Sequence, residues 1–425
     1  MNLFKTSNHE VGFCKTRLSN LTNMKTSSIK IMLSQNGRFG VGIGNYGSRL
    51  FLICSLFLVL GSCEKKTSTA MLELAASKPE WGPTITPEMQ LIIEKLVSYN
   101  NPPLSTLTPA QARMGKSIFN AYQEVMMEKG VKKPHANVDT VRISIPCSDG
   151  NIPALVYTCG KGNGPLPVIV YYHGGGWVLN SPEIYDASAR ALSDMTGAIV
   201  VSVAYRKAPE FKFPTAHNDS FNAYKWVLAN AATLKGDPKK IAVAGESAGG
   251  NLAAAVSLMA RDKGIALPVH QLLVYPIAGY DLNTESYLKY ANATPLNKPS
   301  MQWFFRYYLN NPAEGNNPLI SLVDAKLSGL PSTTIISAEI DPLQSEGLLL
   351  AKRLSSAGVK VVQKTFIGVT HEFFGMVALV PEAKEAQELA SAELKKAFKY
   401  SVIIDASLSM CSGKSSIVLP VFFEL

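Results

Sequence analysis

Gly245-Glu246-Ser247-Ala248-Gly249-Gly250 is the stretch around which the rest of the chain is read. Ile241-Ala242-Val243-Ala244 precedes it, short, apolar and partly β-branched, and reads as a buried strand. Residues 251–260, rich in Ala and Leu, follow it and read as a helix. A strand that becomes a helix within five residues needs a very tight turn. Gly245 and Gly249 lack a Cβ, so the two elements can crowd there. The apex residue, Ser247, is then held in a strained conformation with its side chain presented outward, the arrangement of a G-x-S-x-G nucleophile turn. A small-residue turn that happens to contain Ser is the plainer alternative, so the partners of Ser247 decide.

On either side of this turn, solid apolar runs alternate with helical stretches. They are residues 168–171, 199–203, 241–244, 272–275, 334–337 and 361–365. Such runs imply a mostly parallel central sheet flanked by helices on both faces, an α/β fold. Ahead of them, residues 142–145 and 154–157 alternate about a turn at Asp149-Gly150 and read as an antiparallel hairpin. Residues 79–130 and 281–318 do not fit the rhythm. They read as a helical cap, the second carrying the aromatic helix Met301–Tyr308, whose Trp303, Phe304, Tyr307 and Tyr308 share a face. The last helix is expected over Pro381–Tyr400, with 401–425 as an appended tail.

Composition narrows the function classes. Of 425 residues 47% are hydrophobic and 17% charged, enough for a large core and against global disorder. The net charge of +9 suggests a polyanion partner until it is located. Residues 1–62 hold seven Lys or Arg and one acid, which leaves 34 bases against 31 acids elsewhere, so nucleic-acid binding is not expected. Leu50 to Leu60 is an apolar run broken only by Ser55, following Arg49, short for a membrane span and right for a signal-peptide core. It ends in Leu60-Gly61-Ser62-Cys63, which resembles a bacterial lipobox, and a polar tether follows. That resemblance implies removal of residues 1–62, lipidation of Cys63, a tether over 63–78 and a membrane-anchored protein of the bacterial cell envelope. Met24 and Met32 are alternative starts. Cys147 and Cys159 flank the hairpin out of register for a disulfide, and no C-x-x-C pair or His/Cys cluster suggests a metal.

A second signature, His173-Gly174-Gly175-Gly176-Trp177, directly follows a strand. Its glycines let the backbone approach a ligand with N–H groups free, and it lacks the pattern of a phosphate loop. Gly174 and Gly175, with Ala248 after the serine, are therefore candidate oxyanion donors, and His173 is expected to orient the loop. A serine nucleophile needs a base and an orienting carboxylate, in this topology in the order Ser, Asp or Glu, His. His371 follows a strand and a glycine-containing loop, whereas His270 precedes a strand. Asp341 ends the strand before that of His371; Asp281 and Asp324 are rivals less well placed, and Asp341 followed by Pro342 also fits a helix N-cap.

Together these residues resemble the hormone-sensitive lipase family of α/β-hydrolases, the HGGG family of bacterial esterases. The resemblance covers roughly residues 80–400: the stretch 172–177, Tyr205-Arg206-Lys207-Ala208-Pro209-Glu210, Phe213-Pro214, the serine turn, Asp341-Pro342-Leu343 and His371-Glu372-Phe373-Phe374. It implies the α/β-hydrolase fold and a catalytic triad of Ser247, Asp341 and His371. It also implies oxyanion donors at Gly174, Gly175 and Ala248, and an acyl-ester substrate with no metal or organic cofactor. Two positions depart from the family: Ser345 stands where an acid often follows Asp-Pro-Leu, and Glu372 where Gly commonly follows the histidine. The expected activity is hydrolysis of short-to-medium acyl esters, with Trp177 and Trp303 as candidate walls of the acyl site. An amidase or acyl-peptidase on the same scaffold, or a non-catalytic ligand-binding member of the fold, are the alternatives.

Overall fold

The computed structural model describes residues 77–135, 137–160 and 164–411. The hydrophobic run at 50–60, the Leu60–Cys63 motif and most of the tether lie outside them.

Eight strands form one sheet: β1 (Asp139–Ile145), β2 (Ile152–Thr158), β3 (Leu166–Tyr172), β4 (Ile199–Val203), β5 (Gly236–Glu246), β6 (Gln271–Val274), β7 (Thr333–Ile340) and β8 (Val361–Thr370). Their order is β1-β2-β4-β3-β5-β6-β7-β8. The β1/β2 hairpin and the β2/β4 pair are antiparallel; every pair from β4 through β8 is parallel. The register of β1 and β2, with Ile145 opposite Ile152, leaves Cys147 and Cys159 as free thiols.

Both faces of the sheet are covered, which is why its inner strands are apolar throughout. Val168, Val170, Val201 and Val243 point into one core with the helices Thr215–Asn230, Ala248–Asp262 and Gln344–Ser356. Ile169, Tyr171, Val200 and Ala242 point into the other, against Asp186–Thr196 and the helix that starts at Pro381. Side chains alternate along each strand, so each core takes every second residue.

The structure revises two boundaries. The C-terminal helix spans Pro381–Cys411, so it does not end at Tyr400 and continues into the segment expected to be a tail. The segment 79–130 is only partly a cap. Met89, Ile92 and Ile93 of the helix Pro87–Ser98 are buried in the second core, and Thr86 N–H donates to the Gly368 carbonyl at 2.9 Å. An amphipathic helix with one apolar stripe looks the same in sequence whether it covers a sheet or a cavity.

Candidate active site

Strand β5 ends at Glu246 and the helix Ala248–Asp262 begins two residues later, which leaves Ser247 alone at the corner. Its backbone sits at φ 57°, ψ −119°, a conformation that L-residues avoid and that the surroundings hold in place. Ser247 N–H donates to the Val274 carbonyl at 2.9 Å, and its own carbonyl accepts from Asn251 at 3.1 Å. The flanking glycines are required by contact. A Cβ on Gly245 would overlap the Gly249 backbone, and one on Gly249 would overlap the Tyr172 carbonyl of the neighbouring strand.

The two expected partners converge on this corner from the C-terminal ends of β7 and β8. His371 Nε2 lies 2.9 Å from Ser247 Oγ, and His371 Nδ1 lies 2.6 Å from Asp341 Oδ2. All three residues are buried. The other carboxylate oxygen, Asp341 Oδ1, accepts from Leu343 N–H at 2.8 Å. Asp341 is not a helix N-cap; Leu343 occupies that position and the helix begins at Gln344. Burial works against the charged imidazolium of His371. The charge and hydrogen bond of Asp341, assisted by Glu372 and Glu246, outweigh it and raise the pKa above its ordinary value. The other buried histidines go the opposite way for want of an anionic partner: burial drives His173 down to about 3, and His217 and His270 to about 4.

Loop 173–177 lies beside the serine turn. The Gly174 and Gly175 N–H groups donate to no protein acceptor among the described residues. Ala248 opens its helix, so its N–H is one of those without an intrahelical partner. Gly175 has φ 107°, and a Cβ on Gly176 would collide with the Phe304 ring. His173 holds this loop from behind: its Nδ1 lies 2.7 Å from the Gly174 carbonyl, its own carbonyl accepts from Tyr205 Oη at 2.8 Å, and its ring stacks on Tyr205.

A family described by the alpha/beta hydrolase fold matches residues 169–375. A carboxylesterase of Mycobacterium tuberculosis, NlhH, is 41% identical over 251 residues, 58% of this chain and 79% of that protein. An arylesterase of Saccharolobus solfataricus is 37% identical over 279 residues, 64% of this chain and 88% of that protein. The solved structure of a hyperthermophilic esterase from Pyrobaculum calidifontis superposes with a TM-score of 0.66 at 36% identity. It covers 74% of this chain and 98% of its own. The chain belongs to the α/β-hydrolase family.

In this hydrolase a cavity of about 1060 Å³ opens over the serine. Ser247, His371, Gly175 and Gly176 lie in its wall, with Leu107, Ile118 and Phe119 from the N-terminal segment and Leu296 and Phe304 from the 281–318 segment. Neither Trp177 nor Trp303 lines it. Trp177 is buried behind the glycine loop, stacked on Tyr308 at 4.5 Å between ring centres. Trp303 packs on Phe304 and Tyr307 and donates its indole N–H to the Leu107 carbonyl at 2.7 Å. The aromatic face of this helix therefore packs against the body, and Phe304 alone of its rings reaches the cavity wall. Helical spacing shows which residues share a face but not which of them meets empty space.

The two departures from the family pattern have structural answers. Ser345 exchanges hydrogen bonds with Ser286, and the buried acid is the next residue, Glu346, whose carboxylate accepts from Ala278 N–H at 2.8 Å. Glu372 lines the cavity and adopts φ 73°. Its carboxylate accepts from Tyr185 Oη, and burial lifts its pKa to about 7. Glu246, whose charge bears on Glu372, accepts from the hydroxyls of Tyr171 and Tyr275 and is also pushed up by burial. Sequence reasoning passed over these tyrosines, which lie far from Glu246 and Glu372 in the chain. Among the described residues no cluster of His, Cys, Asp or Glu could hold a metal ion.

Proposed function

We propose that this hydrolase cleaves carboxylic esters through an acyl-serine intermediate. The observation that carries the reading is the hydrogen-bonded relay Asp341–His371–Ser247, whose last two members line the cavity. His371 Nε2 takes the proton of Ser247 as Oγ attacks the ester carbonyl, then delivers it to the leaving alkoxide. Asp341 holds the imidazole orientation and stabilises the imidazolium. The N–H groups of Gly174, Gly175 and Ala248 receive the oxyanion. Water then attacks the acyl-serine with His371 as base. The esterase relatives support this substrate class, and the rings of Phe119 and Phe304 with Leu107, Ile118 and Leu296 in the cavity wall support short-to-medium acyl chains.

The test is hydrolysis of p-nitrophenyl acyl esters by wild type and Ser247→Ala, with a fluorophosphonate to trap the nucleophile. Loss of activity in the variant by about 10⁴ or more, with the label on Ser247, is expected. Activity of Ser247→Ala within tenfold of wild type would refute the assignment.

The same proposal includes attachment to a bacterial membrane by a lipid on Cys63. It is supported by the apolar run 50–60, the Leu60-Gly61-Ser62-Cys63 motif and the polar residues after it. Cys63→Ser should move the protein from the membrane fraction to the soluble fraction of a bacterial host; wild type without lipid by mass spectrometry would end this part of the reading.

A further inference from the structure

Three basic residues line the cavity above Ser247: Arg113, Lys116 and Lys207. Two of them are neutralised. Arg113 is held in a fork by Glu210, at 2.7 and 2.9 Å, and Lys116 pairs with Glu124 at 2.9 Å. Lys207 has no carboxylate at ion-pair distance among the described residues. Its ammonium donates to the Asn180 carbonyl and to nothing else described, which uses one of three N–H donors. The acids whose fields reach it are already engaged: Glu210 by Arg113, and Glu183 by Arg142 at 2.6 Å and Ser181 at 2.6 Å. Glu372, the one acid in the cavity wall, accepts from Tyr185 and is not paired with Lys207, although its charge is present in the cavity above about pH 7. Burial, with help from Arg113, pushes the Lys207 pKa down, as expected of a charge withdrawn from water without a counter-ion.

The position of this charge gives it a use. Lys207 is tethered to Asn180, and Asn180 Nδ2 would lie 3.0 Å from a Cβ on Gly175. The free ammonium is therefore fastened to the segment that packs against the oxyanion loop. We propose that Lys207 is a specificity-determining residue that pairs with an anionic group on the substrate. The preferred substrates are then esters bearing a carboxylate on their acyl or alcohol part. This inference rests on the ester-hydrolase reading and narrows it. The apolar part of the wall disfavours a charged ester, because the carboxylate must leave water. A half-buried ammonium without a carboxylate partner reverses that preference, and its contribution weakens with salt.

The experiment compares shape-matched ester pairs on the whole protein at about pH 8. Ethyl hydrogen succinate is set against ethyl 4-methylpentanoate for the acyl side. For the alcohol side, 3-(butyryloxy)propanoate is set against 3-methylbutyl butyrate. The expected wild-type ratio of kcat/KM, charged over neutral, exceeds one in at least one pair, and that pair locates the anion. The ratio should fall about tenfold or more in Lys207→Met and recover in Lys207→Arg. In wild type it should fall as salt rises from about 0.05 to 0.5 M. Hydrolysis of the neutral esters with a wild-type ratio below one in both pairs would overturn the inference and leave the esterase reading standing. So would a ratio unchanged in Lys207→Met, or one insensitive to salt in wild type. Failure to cleave any of the four esters would overturn both.

Discussion

Tyr185 Oη donates to Glu372, 2.7 and 2.8 Å from the two carboxylate oxygens, and the same hydroxyl occupies the space a Cβ on Gly174 would need. One phenol thus touches both the proposed oxyanion loop and the residue after the proposed base. Other ionisable groups whose charges bear on the pair are Asp341 after β7, Glu246 at the end of β5, Tyr171 on β3 and Tyr275 after β6. Glu372 helps to hold the His371 pKa up, so removing its charge lets the imidazole become neutral at lower pH. The acid limb of kcat/KM in Glu372→Gln should lie at lower pH than in wild type, because only neutral His371 accepts the Ser247 proton. A limb at unchanged or higher pH would contradict this coupling. The amide keeps an acceptor for Tyr185, which separates the charge effect from loss of the contact.

The same carboxyl links stability to pH. Its pKa rises from an ordinary 4.5 to about 7 on folding. Between those values the folded protein holds a proton that the unfolded chain has released, so its contribution to stability is present at low pH and lost as pH rises through about 7. Glu372→Gln carries no such penalty. At about pH 8 it should be more stable than wild type, by up to about 3 kcal/mol, with the gain vanishing near pH 4. Urea denaturation at the two pH values measures it; an equal difference at both would rule out the linkage.

Arg206 closes a buried carboxylate. Its Nε and Nη2 donate to Asp219 at 2.9 and 2.6 Å, its backbone N–H donates to the same group at 2.9 Å, and Nη2 also reaches Asp149 at 2.6 Å. Asp219 is fully buried. Arg206→Ala leaves that carboxylate without its cation and should destabilise the fold by about 3–5 kcal/mol in a denaturant titration. A cost under about 1 kcal/mol would mean that the pair is not needed.

Phe304, not Trp303, is the ring that the 281–318 segment places in the cavity wall, with Phe119 from the N-terminal segment as the other phenylalanine there. Phe304→Ala should move the chain-length optimum to longer acyl esters, since each further methylene accommodated is worth about 0.8 kcal/mol, roughly fourfold in kcat/KM. Trp303→Ala should instead lower stability by about 3–5 kcal/mol as a core truncation. Profiles over a series of p-nitrophenyl esters, with melts of both variants, test the contrast; a shifted optimum in Trp303→Ala alone would reverse it.

Much is legible in the sequence. Apolar runs spaced by helical stretches imply a sheet buried on both faces, because side chains alternate on a strand and an all-apolar strand has no face left for water. The glycines around Ser247 imply its turn, because only a residue without a Cβ tolerates that crowding. The order of Asp341 and His371 on successive strand ends brings them to Ser247, because parallel strands deliver their C-terminal ends to one edge of the sheet. These are local or topological facts, and the chain states them directly. Tertiary structure alone decided what depends on facing a particular space. It set Phe304 in the cavity wall and turned Trp177 and Trp303 into the body. It brought Tyr185 to Glu372 across 187 positions. It left Lys207 without a counter-ion while Arg113 and Lys116 found theirs. Charge pairing and cavity shape depend on distances between segments far apart in the chain, and spacing along one segment carries no information about those.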